Sequence, residues 1–315
     1  MYVITGVDGK LGGKVAAEML RIVPGSQLIF TSPCPEKIPA QEKDEWSQRG
    51  VQLRKADYSD PHSLRAAFQG GQRLFMLSAM TVGEVRQQQH RNAIDAARAV
   101  GIDHITYTSF LCAGLPETFQ VVAVDHRVTE QYLQQSGLRW NTLRDNLYLE
   151  NYLVAFAAIA FQDGLWRTSA GEGTASFVAR DDCARVAVAL LTGKGEADTG
   201  YDVTGGELIS VHQICDMVAA RSGVALTYSS MSDEELFAWY DALGVPRKAT
   251  GDFSRSPYPW CSEDIVSNEA GVREGTMRTI SDTVERLTGR KPLTAQDLLE
   301  SAATSWPPAE REPDR

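Results

Sequence analysis

Short apolar runs alternate with amphipathic segments along the first half of the chain. Runs such as Tyr2–Ile4, Gln27–Thr31 and Leu74–Leu77 have the length of buried strands. Segments such as Lys14–Val23 carry apolar residues at helical spacing and end at proline or glycine. Further strands are predicted at 51–55, 105–108 and 139–143, and further helices at 41–49, 63–68, 87–100 and 124–136. This alternation predicts an α/β fold built on a Rossmann-type, doubly wound parallel sheet.

The regular alternation fades after about residue 150. Helices are predicted at 152–162, 183–191, 232–243 and 279–287, another helix opens at Ser210, and a short strand begins at Val203. We therefore expect a dinucleotide-binding domain over 1–150. A smaller mixed lobe over 151–300 would mainly bind substrate, with some segments returning to the sheet. The proline-rich, charged stretch 301–315 predicts a flexible tail.

Three glycines follow the first strand, at Gly6, Gly9 and Gly12. A strand, a tight turn and a helix N-terminus in this order can bind a dinucleotide pyrophosphate, because free N–H groups and the helix dipole face the anion. Gly6 would allow the turn, Gly9 would leave room for the phosphates, and Gly12 would let the helix approach the strand. The G-x-x-G-x-x-G spacing alone is weak evidence, and its place after a strand strengthens it.

Polar and small residues follow two other strands. Asp57 comes just after the third strand, where its carboxylate could accept from an adenine amino group. The alternative is a turn aspartate, because Ser59, Asp60 and Pro61 come next. After the fourth strand, Ser78 and Ala79 are small enough to let a ribose approach the backbone.

The fifth strand is predicted to end in three hydroxyl-bearing residues, Tyr107, Thr108 and Ser109. At the end of a parallel strand these hydroxyls would point toward the nicotinamide side of a dinucleotide. Alternatively, they are buried hydroxyls whose hydrogen bonds are satisfied by the backbone.

Composition narrows the classes of partner. The 315 residues include 43% hydrophobic and 23% charged residues, and 31 basic against 41 acidic side chains give a net charge of −10. This acidity argues against nucleic acid or an anionic membrane as the main partner. No apolar run reaches membrane-spanning length, and no signal peptide is recognisable. The five scattered cysteines suggest a reducing cytoplasm and no metal site.

Several separated motifs resemble the NmrA-like atypical short-chain dehydrogenase/reductases. The Thr5–Gly12 stretch resembles the T-G-A-T-G-x-L-G opening of that family. The further matching segments, in chain order, are Ala56–Tyr58, Gln89–Asn92, Tyr107–Ser109, His126 with Thr129 and Glu130, and Leu143–Tyr148. The resemblance runs from residue 1 to about residue 289 and is densest in the first 150 residues. Within the family it is nearest to bacterial NAD(P)H quinone oxidoreductases and triphenylmethane reductases.

The resemblance implies a Rossmann-type domain that binds NADP(H), a smaller lobe over the nicotinamide, and hydride transfer without flavin. It places the pyrophosphate and adenine beside Gly6, Gly9, Lys10, Leu11, Gly12, Asp57 and Tyr58. It places the ribose and nicotinamide beside Ser78, Ala79, Tyr107, Thr108, Ser109 and Asn146. Tyr148 would line the substrate pocket or, alternatively, pack in an aromatic core.

One departure from the family concerns the choice of cofactor. Related reductases carry an arginine after the second strand that binds the 2′-phosphate of NADP, and here Pro33 occupies that place. Ser32 and Lys37 are the candidate substitutes, whereas Glu36 would favour NAD by accepting from a ribose hydroxyl. We expect NADP(H) rather than NAD(H).

The second departure concerns catalysis. None of the ten tyrosines is followed by lysine four residues later, so the usual Tyr-x-x-x-Lys proton donor is missing. His126 is the candidate proton donor, with Glu130 one turn away to orient it. The alternative is a structural histidine. A quinone or cationic dye delocalises the incoming charge and needs no enzymic acid at the hydride step, so the missing pair is compatible with such acceptors.

Two functional hypotheses follow. The first is a cytoplasmic NAD(P)H-dependent oxidoreductase, a monomer or homodimer, that reduces a quinone-like or conjugated aromatic small molecule. The second is a non-catalytic NAD(P)-sensing regulator, which the missing Tyr-x-x-x-Lys pair would favour. The match to the reductase branch at Gln89–Asn92 and Leu143–Tyr148 favours the enzyme.

Overall fold

The apolar runs of the first half form neighbouring strands of one sheet in the computed structural model, which describes residues 1–249, 253, 255–258 and 260–307. The strands are β1 (Tyr2–Thr5), β2 (Leu28–Ser32), β3 (Gln52–Lys55), β4 (Arg73–Met76), β5 (His104–Phe110), β6 (Arg139–Asp145), β7 (Leu165–Thr168), β8 (Thr174–Ala175), β9 (Thr199–Val203), β10 (Ile209–Ser210) and β11 (Thr227–Ser230).

Helices connect these strands and cover the sheet. The helices are α1 (Lys10–Ile22), α2 (Ala40–Gln48), α3 (Pro61–Phe68), α4 (Glu84–Ala99), α5 (Val121–Gln135), α6 (Ala157–Ala160), α7 (Arg180–Leu191), α8 (Val211–Ser222), α9 (Asp233–Ala242), α10 (Ser262–Arg273), α11 (Thr283–Thr288) and α12 (Ala295–Ala303). Six α-helices lie in the first 160 residues, and the strand–helix alternation read from the sequence is therefore present.

Seven strands pair in the order β3-β2-β1-β4-β5-β6-β9, and all of these pairs are parallel. The strand order reverses at β1, whose Ile4 pairs with Phe30 of β2 on one side and Phe75 of β4 on the other. In sheets of this kind ligands bind beyond the carboxyl ends of the strands at such a switch point. The predicted doubly wound, Rossmann-type fold is confirmed.

The core of this sheet is apolar on both faces. Ile4, Phe30, Phe75 and Ile105 are fully buried, as expected for central parallel strands covered by helices on both sides. The amphipathic face of α4 contributes Ala93, Ile94 and Ala97, and α3 contributes Leu64 and Phe68 to the same cluster. This burial is the main stabilising contribution to the sheet.

The described residues form two compact units. Unit 1 comprises Met1–Asp145, Arg180–Val203 and Asp282–Arg290, and unit 2 comprises Asn146–Ala179, Thr204–Ser281 and Lys291–Arg315. The first boundary falls five residues before the predicted one at 150. The segments that return to unit 1 contribute α7, α11 and the edge strand β9.

Unit 2 contains two small sheets, one antiparallel (β8 with β10) and one parallel (β7 with β11). Its helices α8, α9 and α12 begin with capping boxes at Ser210, Ser232 and Thr294. A capping box satisfies N–H groups that a helix N-terminus otherwise leaves unpaired. The predicted helix starts at Ser210 and Ser232 are confirmed.

Several predicted elements differ in their bounds. Val203 ends β9 instead of beginning a strand, because residues 199–203 pair with β6. The helix predicted at 183–191 begins at Arg180, and the one predicted at 279–287 begins at Thr283. Residues 152–162 form a π-helical turn followed by the short helix α6.

The predicted flexible tail begins inside a helix. Residues 301–303 complete α12, whose Leu298 and Leu299 are buried, and the indole N–H of Trp306 donates to the carbonyl of Leu153 at 2.8 Å. The apolar face of α12 is what binds this segment to unit 2. Residues 308–315 lie outside the described part of the chain.

Candidate cofactor site

The three glycines after β1 each occupy a position that a side chain would disturb. Gly6 has a φ of +65°, and a Cβ atom there would lie 2.6 Å from Cδ2 of Leu77. A Cβ atom on Gly12 would lie 2.0 Å from the carbonyl oxygen of Gly6. The N–H of Gly9 donates to that same carbonyl at 2.9 Å and closes the turn. The predicted strand–turn–helix arrangement is present, with helix α1 packed against the turn.

The first turn of α1 suits an anion. The helix begins at Lys10, its N-cap is Gly9, and within this fully described helix the cap makes no side-chain hydrogen bond and the first turn has no acidic residue. The N–H groups and the positive end of the dipole are therefore not used by the chain's own side chains. Lys10 is exposed and Leu11 is buried. This arrangement fits the pyrophosphate of a dinucleotide.

The residues after β2 differ in how accessible they are. Ser32 is fully buried, and its Oγ accepts from the N–H of Cys34 at 3.0 Å in a local turn. Glu36 and Lys37 are both exposed, in a short 3₁₀ turn over Pro35–Lys37. Lys37 is therefore better placed than Ser32 to reach a ligand beyond the end of β2.

Asp57 and Tyr58, which follow Ala56 after β3, differ in the range of their contacts. Oδ1 of Asp57 accepts from the N–H of Ser59 at 2.8 Å, which is the turn role given above as the alternative to adenine binding. The Tyr58 hydroxyl donates to the carbonyl of Leu77 and lies 2.9 Å from Oγ1 of Thr5. Desolvation of this hydroxyl raises the pKa of Tyr58 well above its ordinary value. Tyr58 thus joins the ends of β1 and β4, and the adenine contact of Asp57 stays a prediction.

The segment after β4 is held by its backbone. The N–H of Ser78 donates to Oγ1 of Thr108, and the N–H of Ala79 donates to Nε2 of His90, both at 2.9 Å. Both residues are half-buried. The small side chains predicted to admit a ribose are therefore carried on a backbone that is fixed at two consecutive positions.

The prediction that Tyr107 to Ser109 end their strand was wrong. Strand β5 continues to Phe110, because its pairing with β6 extends to Asp145. Oγ1 of Thr108 donates to the carbonyl of Met76 at 3.2 Å, and Oγ of Ser109 donates to Glu130 at 2.6 Å. All three hydroxyls are buried and paired within the protein, but only that of Thr108 pairs with the backbone, as the alternative expected; those of Tyr107 and Ser109 pair with side chains.

His126 lies on the buried face of α5, next to Tyr107. The Tyr107 hydroxyl and Nδ1 of His126 are 2.6 Å apart. The predicted orientation of His126 by Glu130 was wrong, because Glu130 pairs with Arg144 at 2.6 Å and accepts from Ser109. One helical turn brings the two residues close in sequence, but packing against β5 and β6 turns the carboxylate toward other donors.

Burial keeps the groups of this cluster uncharged. Burial, and secondly the Arg86 guanidinium, lower the pKa of both His90 and His126 well below their ordinary value. Burial also raises the pKa of Tyr107 well above its ordinary value. The Tyr107 hydroxyl shares its hydrogen bond with Nδ1 of His126, and the tautomer of the ring decides which of the two groups donates; a neutral imidazole carries one N–H in either case. His126 is therefore a hydrogen-bond donor and not a cationic acid at neutral pH.

Asn146 and Tyr148 belong to unit 2. The Asn146 side chain is buried, and its Nδ2 donates to the carbonyls of Ser176 and Met277, both at 3.0 Å. This amide joins separate segments of unit 2. Tyr148 is half-buried and forms an isolated bridge with Val178. Their predicted contacts with nicotinamide and substrate stay predictions.

Sequence reasoning missed His90, which connects the segment after β4 with α5. Its Nε2 accepts from Ala79, and its Nδ1 lies 2.9 Å from Oγ1 of Thr129. A signal was present, because His90 is a polar residue one turn from Ala93 and Ile94 on the apolar face of α4. Asp125 was missed as well. Its carboxylate accepts from the N–H of Gly83 at 2.7 Å, at the start of α4.

Two other classes of site find no support. Within the described ranges, no group of three or more His, Cys, Asp or Glu side chains could hold a metal ion. No helix in the described part of the chain is both long and apolar enough to cross a membrane.

The comparisons with known proteins agree with this geometry. The sequence profile of a family described as NAD(P)H-binding matches residues 6–194, which is more than half of the chain. Quinone oxidoreductase 2 of Escherichia coli (strain K12) is 30% identical over 299 residues, covering 95% of this chain and 97% of that protein.

Two solved structures have the same overall fold. A crystal structure of an NADPH-dependent quinone oxidoreductase from Escherichia coli in complex with NADPH has a TM-score of 0.82 at 29% identity, over 96% of this chain and 99% of the other. The triphenylmethane reductase of Citrobacter sp. in complex with NADP(H) has a TM-score of 0.81 at 25% identity, over 96% and 100%. The chain therefore belongs to the NAD(P)H-binding, NmrA-like family of oxidoreductases.

Proposed function

We propose that this protein uses NAD(P)H, without flavin, to reduce a quinone-like or otherwise conjugated aromatic acceptor. The observation that carries the proposal is the buried Tyr107–His126 pair, whose imidazole is uncharged at neutral pH, in a sequence that lacks a Tyr-x-x-x-Lys pair. The names of the relatives, a quinone oxidoreductase and a triphenylmethane reductase, support the same class of acceptor. These names also favour the enzyme over the non-catalytic sensor.

The bound dinucleotide would supply a hydride, which adds two electrons to the conjugated acceptor. A quinone then carries a delocalised negative charge that needs little stabilisation from an acid, whereas a cationic dye is neutralised by the hydride itself. Nε2–H of His126 would donate a hydrogen bond to the developing oxyanion, and Tyr107 would hold the ring in the tautomer that allows this. A water molecule would deliver the proton that neutralises the product.

The N-terminal turn of α1 would hold the pyrophosphate, with Gly6 and Gly12 keeping the helix close to the strand. NADP(H) is proposed over NAD(H), and Lys37 would supply the positive charge near the 2′-phosphate because it is exposed while Ser32 is buried. The crystal structures of the two relatives hold NADPH and NADP(H).

Oxidation of NADPH and NADH, measured with a panel of quinones, triphenylmethane dyes and simple ketones, tests the acceptor class. Turnover is expected with quinones or dyes and not with the ketones. Tight cofactor binding without turnover on any acceptor would refute the proposal and restore the sensor hypothesis.

The two proposed side-chain roles are tested with single variants. His126→Ala is expected to lower kcat with a quinone by about tenfold, since one hydrogen bond to the oxyanion is lost. A loss of several orders of magnitude in a folded variant would show an essential acid instead. Lys37→Ala is expected to raise KM for NADPH and not for NADH, whereas Glu36→Ala, which removes the candidate acceptor for a ribose hydroxyl, is expected to raise KM for NADH and not for NADPH.

A further inference from the structure

Of the Gln89–Asn92 motif at the middle of α4, only His90 has a role in the site as described so far. The motif residues lie next to two loops that follow strands of the sheet. We name residues 57–60 the β3 loop and residues 78–83 the β4 loop. The β3 loop holds the predicted adenine contact Asp57, and the β4 loop holds the predicted ribose contacts Ser78 and Ala79.

Two side chains of the motif bind the β3 loop. Nε2 of Gln89 donates to Oγ of Ser59 at 2.9 Å, and Nδ2 of Asn92 donates to the carbonyl of Tyr58 at 2.9 Å. Positions 89 and 92 are one helical turn apart and therefore share one face of α4. That face is directed at the backbone just after Asp57.

The same motif also binds the β4 loop. Oγ1 of Thr81 donates to Oε1 of Gln89 at 2.6 Å, and the N–H of Ala79 donates to Nε2 of His90 at 2.9 Å. Gln89 therefore bridges the two loops with the two ends of a single amide. The remaining motif residue, Arg91, lies over the ring of Tyr132 on α5, with 5.8 Å between its guanidinium carbon and the ring centroid.

These contacts compensate for the limited packing of the β4 loop. Met80, near the tip of the β4 loop, is 76% exposed, and the loop ends at Gly83 with a φ of +73°. Ordering such a loop when a ligand binds costs conformational entropy, and ordering it beforehand removes that cost from the binding step. A helix side chain that holds the loop in place thus raises ligand affinity without touching the ligand.

We propose that Gln89, His90 and Asn92 form a clamp that presets both loops for the adenine and ribose of the dinucleotide. They are positioning residues, and the inference rests on the cofactor site of the proposed function. The clamp sets how tightly the cofactor binds and leaves the hydride step unchanged once the cofactor is bound.

The test is the dissociation constant for NADPH, measured by titration, together with kcat at saturating NADPH. Gln89→Leu is expected to raise Kd about tenfold, since two hydrogen bonds are lost, with kcat changed less than about threefold. Asn92→Ala, which loses the contact with Tyr58, is expected to raise Kd about threefold. Gln89→Glu keeps the acceptor for Thr81 and replaces the donation to Ser59 with an oxygen that can accept from the Ser59 hydroxyl, so it should retain most of the affinity. Arg91→Gln is the matched control and should bind NADPH like the wild type.

Both measurements, Kd and kcat, have outcomes that would overturn the clamp. Unchanged Kd in Gln89→Leu, or an equal loss in Arg91→Gln, would overturn the clamp while leaving the cofactor site intact. A fall in kcat with unchanged Kd would overturn it as well. Failure of the wild type to bind either NADPH or NADH would overturn the proposed cofactor site and the clamp together.

Discussion

Glu269 makes the stability of unit 2 depend on pH. It lies in α10 with only 3% of its surface exposed, and its Oε2 accepts from the N–H of Ser169 at 2.6 Å. Burial raises the pKa of this carboxyl from 4.5 to about 7, and the hydrogen bonds from Ser169 only partly oppose that effect. The folded protein therefore holds a proton that the unfolded chain loses at lower pH.

The size and sign follow from the two pKa values. Each pKa unit corresponds to about 1.4 kcal/mol, so the difference between 4.5 and about 7 corresponds to about 3 kcal/mol. Below pH 4.5 the Glu269 carboxyl is protonated in both the folded and the unfolded state, so its ionisation contributes nothing to the free energy of unfolding. As the pH rises from there to about 7, the unfolded state ionises first, so the free energy of unfolding falls. Above that range the carboxyl is ionised in both states, and the loss is complete.

Glu269→Gln removes the titration and keeps an amide oxygen that can accept from Ser169. The variant should therefore be more stable than the wild type. Its advantage in free energy of unfolding should be larger at about pH 8 than at about pH 5, by about 2 to 3 kcal/mol. Urea unfolding followed by circular dichroism at both pH values measures this difference. The control is Glu263→Gln, in the first turn of the same helix, for which a change under about 1 kcal/mol is expected. An equal effect of Glu269→Gln at both pH values would refute the reasoning.

Three further predictions concern unit 1. Gly12→Ala should destabilise the protein by about 1–3 kcal/mol in urea unfolding and weaken NADPH binding, because the added Cβ atom meets the Gly6 backbone. The control is Gly13→Ala, whose Cβ atom would lie 3.1 Å from the nearest carbonyl oxygen and should lower the free energy of unfolding by less than about 1 kcal/mol. Tyr107→Phe removes the hydroxyl that lies 2.6 Å from Nδ1 of His126, so nitrogen NMR should detect a change in the tautomer populations of that ring; unchanged populations would contradict a role of this hydrogen bond in setting the tautomer. Arg144→Met removes the cation that pairs with Glu130, whose side chain is only 4% exposed. The free energy of unfolding should fall by about 3–5 kcal/mol in the same assay, and a fall below about 1 kcal/mol would contradict this prediction.

Much of unit 1 could be predicted because its signals are local. Buried parallel strands read as short apolar runs, and helices between them end at glycine or proline, so the doubly wound sheet follows from the sequence pattern. The turn at Gly6 is equally local, because a positive φ and a close approach each require the absence of a side chain. The missing Tyr-x-x-x-Lys pair is likewise a property of the sequence alone.

What could not be predicted depends on residues that are distant along the chain. β9 lies beside β6 because its backbone pairs with residues 141–145, and nothing in its composition distinguishes an edge strand of this sheet from one in unit 2. The helix α10 was missed because its apolar positions are interrupted by polar residues, including the buried Glu269.

The candidate site likewise combines features set by local sequence with contacts set by residues that are distant along the chain. The sequence by itself determined that His126 and Glu130 are one turn apart on a helix, which suggested that they pair. Only the tertiary structure decided that His126 shares a hydrogen bond with Tyr107 and that Glu130 pairs with Arg144. The physical reason is that a buried polar group takes the partner that packing presents to it, and β5 and β6 present those partners from 14 to 21 residues away in the chain.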